Sequence, residues 1–156
     1  MIDIERIKSE LTYLPEFEYQ ICLQGTSTNN DPFYSIGISD SLDQEKEVKV
    51  WLFDNMTYTK EVCENLKMFR TRVMKMPGKY CYTFHQDYSP RLHIPIITNT
   101  KCFFILGSDN PNINGNEEIK TYPADGNYYY IDTTKYHTAI NASFEDRIHI
   151  VGCIDA

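Results

Sequence analysis

The stretch that decides the fold runs from residue 70 to residue 87 and has the sequence RTRVMKMPGKYCYTFHQD. Residues 70–76 alternate as an extended strand does, and residues 79–85 follow as a second strand. Pro77-Gly78 between them favours a tight turn, because proline presets φ and glycine tolerates turn conformations. The stretch therefore predicts two short strands joined by a turn, and it ends on the H-x-D pair of His85 and Asp87.

Short strands separated by turn residues continue from here to the end of the chain. We predict further strands at residues 91–98, 101–106, 118–122, 128–132, 138–141 and 146–154. Many short strands with turns between them are typical of a β-sandwich or jelly roll. Residues 107–118 are rich in Asn, Asp and Gly, so we expect a mobile loop there that borders the mouth of the site and becomes ordered when substrate binds.

The first 69 residues carry the helix signals. Asp3 can cap a short helix, and a second helix is predicted over residues 59–69. Strands are predicted at residues 19–24, 33–39 and 49–54. With 156 residues the chain is most simply one domain. In this domain, residues 1–69 form an N-terminal part with strands and helices, and residues 70–156 form a mainly β core flanked by one or two helices.

Composition excludes some classes of function. The net charge of −7 argues against a broad nucleic-acid surface, because phosphate contacts need clustered Lys and Arg. The five cysteines form no C-x-x-C pair, which favours free thiols in a reducing compartment over a disulfide scaffold. No apolar run has transmembrane length, and the charged start does not have the pattern of a signal peptide. We therefore expect a cytoplasmic protein with no membrane partner.

Two histidines and one aspartate have the residue types of an iron site. Residues two apart on a strand face the same way, so His85 and Asp87 can converge on one point. They would supply two ligands of a 2-His-1-carboxylate facial triad. His137 can complete the triad if a late strand returns beside an early one, as in a jelly roll. The alternatives are that the H-x-D pair occurs by chance and that His137 is a surface-loop residue.

Arg147 lies in a predicted strand of core type, where an arginine is unusual because its burial is costly. Ile148 and Ile150 face one side of this strand, so Arg147 faces the other. A ligand with two carboxylates is a fitting partner, since a guanidinium group binds carboxylate in bidentate fashion. The alternative is an edge-strand arginine that lies in solvent or pairs with Asp146 or Glu145.

The predicted strand at residues 91–98 has a polar face, on which Arg91 and His93 alternate with three apolar residues. We expect this face to look into the cavity of the sandwich, where an Arg–His pair near a metal favours anion recognition. A solvated sheet face is the alternative. His149 is interpreted as a structural residue or a pocket wall, and not as a metal ligand.

These residues together resemble a known family. From residue 70 to residue 154 the sequence is similar to the catalytic core of the aspartyl/asparaginyl β-hydroxylase group of 2-oxoglutarate oxygenases. The order of H-x-D, His and Arg also resembles that of the free-proline hydroxylases. The segments that carry the resemblance are RTRVMKMPGKY (70–80), HQD (85–87), RLHIPIITN (91–99), YIDTT (130–134), HTAIN (137–141) and RIH (147–149). This fold family is a double-stranded β-helix, the cupin-like jelly roll.

The resemblance also implies roles for individual residues. It assigns the Fe(II) ligands to His85, Asp87 and His137. Arg147 is similar to the arginine that grips the distal carboxylate of 2-oxoglutarate, and His93 resembles a histidine that helps to bind this co-substrate. Arg91 resembles an arginine that contacts a carboxylate of the substrate.

The implied activity is hydroxylation of an amino-acid side chain by Fe(II), 2-oxoglutarate and O₂. The substrate classes that the resemblance leaves open are a free amino acid, a peptide and a protein residue such as Asp, Asn or Pro. The animal aspartyl hydroxylase has a glycine where this chain has Asp87, and this departure loosens the link to Asp as the substrate. Two alternatives remain open: a non-catalytic jelly roll that binds a small ligand, and a cupin-type metal enzyme that does not use 2-oxoglutarate.

Overall fold

A computed structural model of the chain describes residues 1–34 and 39–155. These ranges contain three helices, α1 (Ile4–Leu11), α2 (Leu42–Glu47) and α3 (Thr57–Asn65). The predicted cap of α1 is confirmed, since the Asp3 carboxylate accepts a hydrogen bond from the backbone N–H of Arg6 at 3.0 Å. None of the helices in the described ranges is long and apolar enough to cross a membrane.

Two details of the helices differ from the prediction. The second predicted helix, residues 59–69, extends too far towards the C-terminus: α3 ends at Asn65, and Lys67 then takes a left-handed φ of 54°. A left-handed residue stops a helix, and the chain turns there into the next strand. The helix α2 was not predicted, so the described residues have three helices where one or two were expected.

The described residues also contain eleven strands. They are β1 (Gln20–Cys22), β2 (Gln24–Gly25), β3 (Val50–Trp51), β4 (Phe69–Met76), β5 (Tyr80–Cys81), β6 (Arg91–Ile97), β7 (Cys102–Leu106), β8 (Glu118–Lys120), β9 (Tyr129–Ile131), β10 (His137–Asn141) and β11 (Arg147–Cys153). Most strands match the predicted ones to within a few residues. The strand predicted over residues 79–85 is the main exception, because only its first part, β5, is regular. Of the strand predicted at residues 33–39, residues 35–38 lie outside the described residues, and Phe33 and Tyr34 form a turn.

The strands form two main antiparallel sheets. One has five strands in the order β1-β4-β11-β6-β9, and the other has four in the order β5-β10-β7-β8. A small pair, β2-β3, stands apart from both. All these pairings are antiparallel. The prediction of a mainly β protein is confirmed, and the arrangement is consistent with a β-sandwich.

Two hydrophobic clusters show how the layers pack. The first joins α1 and α3 to the five-stranded sheet, and its buried members include Ile7, Cys63, Val73, Ile94 and Ile150. The second joins the two main sheets and consists of Met76, Phe104, Ile131 and Ala139. The five-stranded sheet therefore has α1 and α3 on one face and the four-stranded sheet on the other. Because side chains alternate along a strand, its inner face is free to carry polar residues towards the space between the sheets.

Candidate metal centre and its cavity

Backbone pairing brings His85 and His137 together. His137 begins β10, and His85 forms an isolated β-bridge with it. The N–H of His85 donates to the carbonyl of His137 at 3.0 Å, and the N–H of His137 donates back at 2.9 Å. Asp87 is held nearby because its N–H donates to the carbonyl of Thr133 at 2.8 Å. The prediction that the H-x-D pair lies in a regular strand is wrong, and pairing with residues 133–137 is what orients it.

The side chains of His85, Asp87 and His137 converge. One ligand atom from each lies within 4.8 Å of the others. Nε2 of His85 is 3.8 Å from Oδ1 of Asp87, and Nε2 of His137 is 3.6 Å from Oδ2 of the same carboxylate. The three predicted ligand residues are therefore neighbours, and the alternative of His137 as an exposed surface residue is wrong because it is only 6% exposed.

Hydrogen bonds to the backbone orient both imidazole rings. Nδ1 of His85 lies 2.6 Å from the carbonyl of Thr83, and Nδ1 of His137 lies 2.9 Å from the carbonyl of Lys135. Since a carbonyl only accepts, each Nδ1 must carry the proton, which leaves a lone pair on each Nε2. Burial lowers the pKa of His137 and so favours its neutral form. Two imidazole nitrogens and one carboxylate thus converge, and together they could hold a metal ion.

The cluster lies on the wall of a cavity of about 650 Å³ between the two sheets. His85 and Asp87 are partly exposed, with side-chain exposures of 39% and 24%, so an ion can reach them from solvent. Arg91, His93 and Arg147 line the same cavity. All the residues that the sequence singled out as site candidates therefore border one space.

Arg147 is almost completely buried, at 1% exposure. Its Nε and Nη1 have no hydrogen-bond partner, and no acidic group of the described residues pairs with it. The guanidinium carbon lies 5.2 Å from the centre of the Phe104 ring. Burial lowers the pKa of Arg147, as expected for a cation removed from water. Both alternatives, a solvent-exposed arginine and one paired with Asp146 or Glu145, are wrong.

Arg91 is also buried, but it has a partner that the sequence did not indicate. Its Nη2 lies 2.8 Å from Oε1 of Glu45, which α2 supplies. The same nitrogen is 3.5 Å from Oδ1 of Asp87. The alternative of a solvated sheet face is wrong for Arg91. Its predicted contact with a substrate carboxylate stays a prediction, and it must be weighed against the charge that Glu45 already neutralises.

His93 and His149 form a buried pair. Their Nδ1 atoms are 3.2 Å apart, so one ring donates to the other. His93 lines the cavity, and His149 lies behind it with Nε2 unpartnered. Burial, reinforced by Arg147, holds the pKa of both histidines well below the ordinary value. His149 is thus placed as a supporting residue, whereas His93 is exposed to whatever the cavity holds.

Glu45 is the charged centre of the cavity wall. One of its oxygens pairs with Arg91 and, at 3.2 Å, with Nη1 of Arg70. The other accepts a hydrogen bond from the Ser89 hydroxyl at 2.7 Å. The signal that could have revealed α2 is the S-x-x-Q sequence at residues 41–44, which is typical of a helix start. Ser41 indeed caps the helix, accepting from the N–H of Gln44 at 3.2 Å.

The Asn- and Asp-rich loop at residues 107–118 starts beside the metal cluster. Gly107 donates to the carbonyl of Tyr136 at 2.8 Å, and Lys135 pairs with Asp109 at 2.8 Å. None of the described residues of this loop lines the cavity. Its ordering by substrate therefore stays a prediction.

Comparison of the chain with protein-family models found no match, and comparison with curated proteins found none either.

The Glu45 network makes a stability prediction. Glu45→Gln would leave the buried guanidinium groups of Arg70 and Arg91 without their carboxylate, and breaking a buried ion pair in this way costs about 3 kcal/mol or more. We expect urea denaturation at neutral pH to show a loss of that size. Glu47→Gln is the matched control, because Glu47 is exposed on the same helix. Its effect should stay within about 0.5 kcal/mol. Equal effects from the two substitutions would contradict the ion-pair assignment.

The His93–His149 pair predicts a dependence of stability on pH. Below about pH 6.5 the unfolded chain protonates these histidines, whereas the folded protein keeps them neutral. The unfolded state then binds more protons than the folded state. The free energy of unfolding therefore decreases as the pH is lowered, by up to about 1.4 kcal/mol per pH unit for each histidine. Urea denaturation of the metal-free protein between about pH 7 and pH 5.5 measures this slope. His149→Gln should flatten it, and an unchanged slope in that variant would count against the pair as its source.

Proposed function

We propose that this chain is an Fe(II)- and 2-oxoglutarate-dependent oxygenase that uses O₂ to hydroxylate an amino-acid side chain. The side chain belongs to a free amino acid, a peptide or a protein. The observation that carries the proposal is Arg147, a buried cation that has no carboxylate partner among the described residues and lies in the same cavity as a His–Asp–His cluster. The fold, the donor set and this unpaired charge support it in turn.

The strand order supports a double-stranded β-helix, the cupin-like jelly roll. From β4 to β11, successive strands alternate between the two main sheets except at β7 and β8, which pair as neighbours in the four-stranded sheet. The resulting orders, β4-β11-β6-β9 and β5-β10-β7-β8, place each late strand beside an early one. In the proposed jelly roll, β1 extends one sheet, and β2 and β3 with the three helices are additions to the core.

The donor set fits iron. A facial triad of two imidazoles and one carboxylate leaves other coordination positions open and is typical of non-haem Fe(II) oxygenases. His85, Asp87 and His137 would hold the ion, with each ring fixed by its Nδ1–H contact to a backbone carbonyl. When bound, iron and 2-oxoglutarate supply the activation of O₂.

Arg147 fits the co-substrate. An uncompensated buried charge is costly, so it is retained most readily where a ligand neutralises it. A carboxylate is the best match for the planar guanidinium fork, and 2-oxoglutarate has one at each end. With the far carboxylate on Arg147, the other end of the molecule is left to face the metal cluster. The Phe104 ring over the guanidinium shields this pair from water and strengthens it.

His93 is suited to contact the same molecule. Arg147 and His137 are both near enough to lower the pKa of His93, so it lies close to the clamp and to the metal cluster. The bond to His149 fixes its ring, and its lowered pKa keeps it neutral, so it offers one hydrogen bond without adding charge.

The cysteines support a cytoplasmic location. All five lie in the described part of the chain and none forms a disulfide; four of them are buried while Cys81 is exposed. Cysteines without disulfides fit a reducing compartment. We expect the partners to be the substrate and the co-substrate.

The first test concerns the metal. Replacing His85, Asp87 or His137 by Ala removes a direct ligand and should weaken binding of Fe(II) or Mn(II) by about 100-fold or more, since even outer contacts are worth 10–100-fold. Anaerobic calorimetry measures this, and circular dichroism checks that the fold survives. Asp54→Ala, an exposed carboxylate, is the control. Unchanged metal affinity in all three variants would rule out the proposed centre.

The second test concerns the co-substrate. Arg147→Met should weaken binding of 2-oxoglutarate to the Mn(II)-loaded protein by about 100-fold or more, while metal affinity alone stays the same. Arg147→Lys should recover only part of the loss, because an ammonium group lacks the bidentate fork. Succinate release with Fe(II), O₂ and an amino-acid panel then tests turnover. A metal-binding protein that ignores 2-oxoglutarate would instead favour the cupin-type alternative.

A further inference from the structure

A second arginine in the cavity is buried without a carboxylate. Arg72 lies on the inner face of β4, opposite Cys22 of β1 and Val151 of β11. It is 7% exposed, and the only hydrogen bond of its side chain among the described residues is from Nη1 to the neutral amide oxygen of Gln20 at 2.9 Å. Its Nε has no partner among these residues. The lowered pKa of Arg72 results first from burial and then from the charge of Arg70.

The charges that line the cavity do not balance. Among the described lining residues, four arginines face two carboxylates, Glu45 and Asp87. Glu45 pairs with Arg70 and Arg91, and Asp87 belongs to the metal cluster. Arg72 and Arg147 are left over. A bound divalent ion would add two positive charges, so the two carboxylates of 2-oxoglutarate would still leave the cavity with a net positive charge.

The two unpaired arginines lie in different parts of the cavity. Arg147 is in register with Met76, four residues along β4 from Arg72, which is a separation of about 13 Å along the strand. Their charged surroundings differ accordingly: Arg70 and Arg91 act on Arg72 and not on Arg147, and Tyr82 and His93 lie within reach of both. A carboxylate bound by Arg147 therefore does not neutralise Arg72.

We infer that Arg72 binds a carboxylate of the substrate, so that the substrate is an acid. This inference rests on the proposed function and adds the class of substrate to it. The resemblance assigned such a contact to Arg91, but Arg91 already pairs with Glu45. Arg72, in contrast, has no carboxylate partner among the described residues, and its Nε makes no hydrogen bond with them. Two sources supply the same chemistry: the α-carboxylate of a free amino acid, and the acidic side chain of a peptide.

Stability separates this role from a structural one. If Arg72 serves a ligand, Arg72→Met removes an uncompensated charge, and the melting temperature of the ligand-free protein should stay the same or rise. If Arg72 is a structural residue that holds Gln20, the same substitution should lower the melting temperature by several degrees or prevent folding. That result would overturn the inference. Arg72→Lys keeps a charge and provides a folded comparison.

Binding provides the second readout. The probes are the common amino acids, each compared with its α-carboxamide, and peptides with one Asp or Glu, each compared with the Asn or Gln peptide. Each is added anaerobically to protein loaded with Mn(II) and 2-oxoglutarate, and the dissociation constant is measured. We expect at least one acid to bind about 10-fold more tightly than its amide, and we expect Arg72→Met to abolish this preference and Arg72→Lys to restore part of it. The pair that shows the preference identifies the source of the carboxylate.

Failure of the inference is distinct from failure of the proposed function. Wild-type protein that binds 2-oxoglutarate but prefers no acid over its amide contradicts the Arg72 assignment alone. So does an acid preference that survives in Arg72→Met. Wild-type protein that does not bind 2-oxoglutarate when loaded with Mn(II) contradicts the proposed function, and the inference with it.

Discussion

The two hydrogen bonds that His85 and His137 exchange through their backbones hold the candidate site together. His137 stands at the start of β10, which pairs along its whole length with β7, so one half of the bridge is anchored in a sheet. His85 follows the two-residue strand β5 and has little regular structure of its own. In each residue Nδ1 contacts the carbonyl two positions earlier, at Thr83 and Lys135. The bridge therefore repeats one local geometry on both sides and points both Nε2 atoms towards Asp87.

The charge of the cavity is opposite to that of the chain. The sequence has a net charge of −7, yet arginines outnumber carboxylates among the described residues that line the cavity. Surface acidity is screened by solvent, whereas buried guanidinium groups act at short range in a medium of lower dielectric constant. The overall composition thus argued against a broad basic surface, but it did not indicate the sign of the charge inside the cavity. Apart from the metal ion proposed for the His–Asp–His cluster, this interior fits small anions better than neutral molecules.

Strand positions and the site candidates on them could be predicted from sequence, because alternation and turn residues are local signals. Arg147 could be singled out because Ile148 and Ile150 set the face on which it lies, and the burial of Ile150 agrees. The pairing of His85 with residues 133–137 could not be derived, since it depends on contacts between distant parts of the chain. Glu45 was missed for a similar reason: α2 is short and polar, and its role follows only from the arginines it meets. Arg72 has no sequence signal of its own, because its lack of a partner is visible only in three dimensions.

Glu45 connects the two parts of the chain more closely than the sequence division at residue 69 suggests. The strands of the C-terminal core supply Arg70, Arg91 and Asp87, but the helix α2 supplies the carboxylate that pairs with both arginines. Because Arg91 also approaches Asp87, the position of Glu45 bears on the orientation of a candidate metal ligand. Without this carboxylate, Arg91 would have Asp87 as its nearest acidic partner and would compete with a metal for it. The N-terminal part therefore does more than cover a sheet, since its carboxylate leaves Asp87 available for the proposed metal.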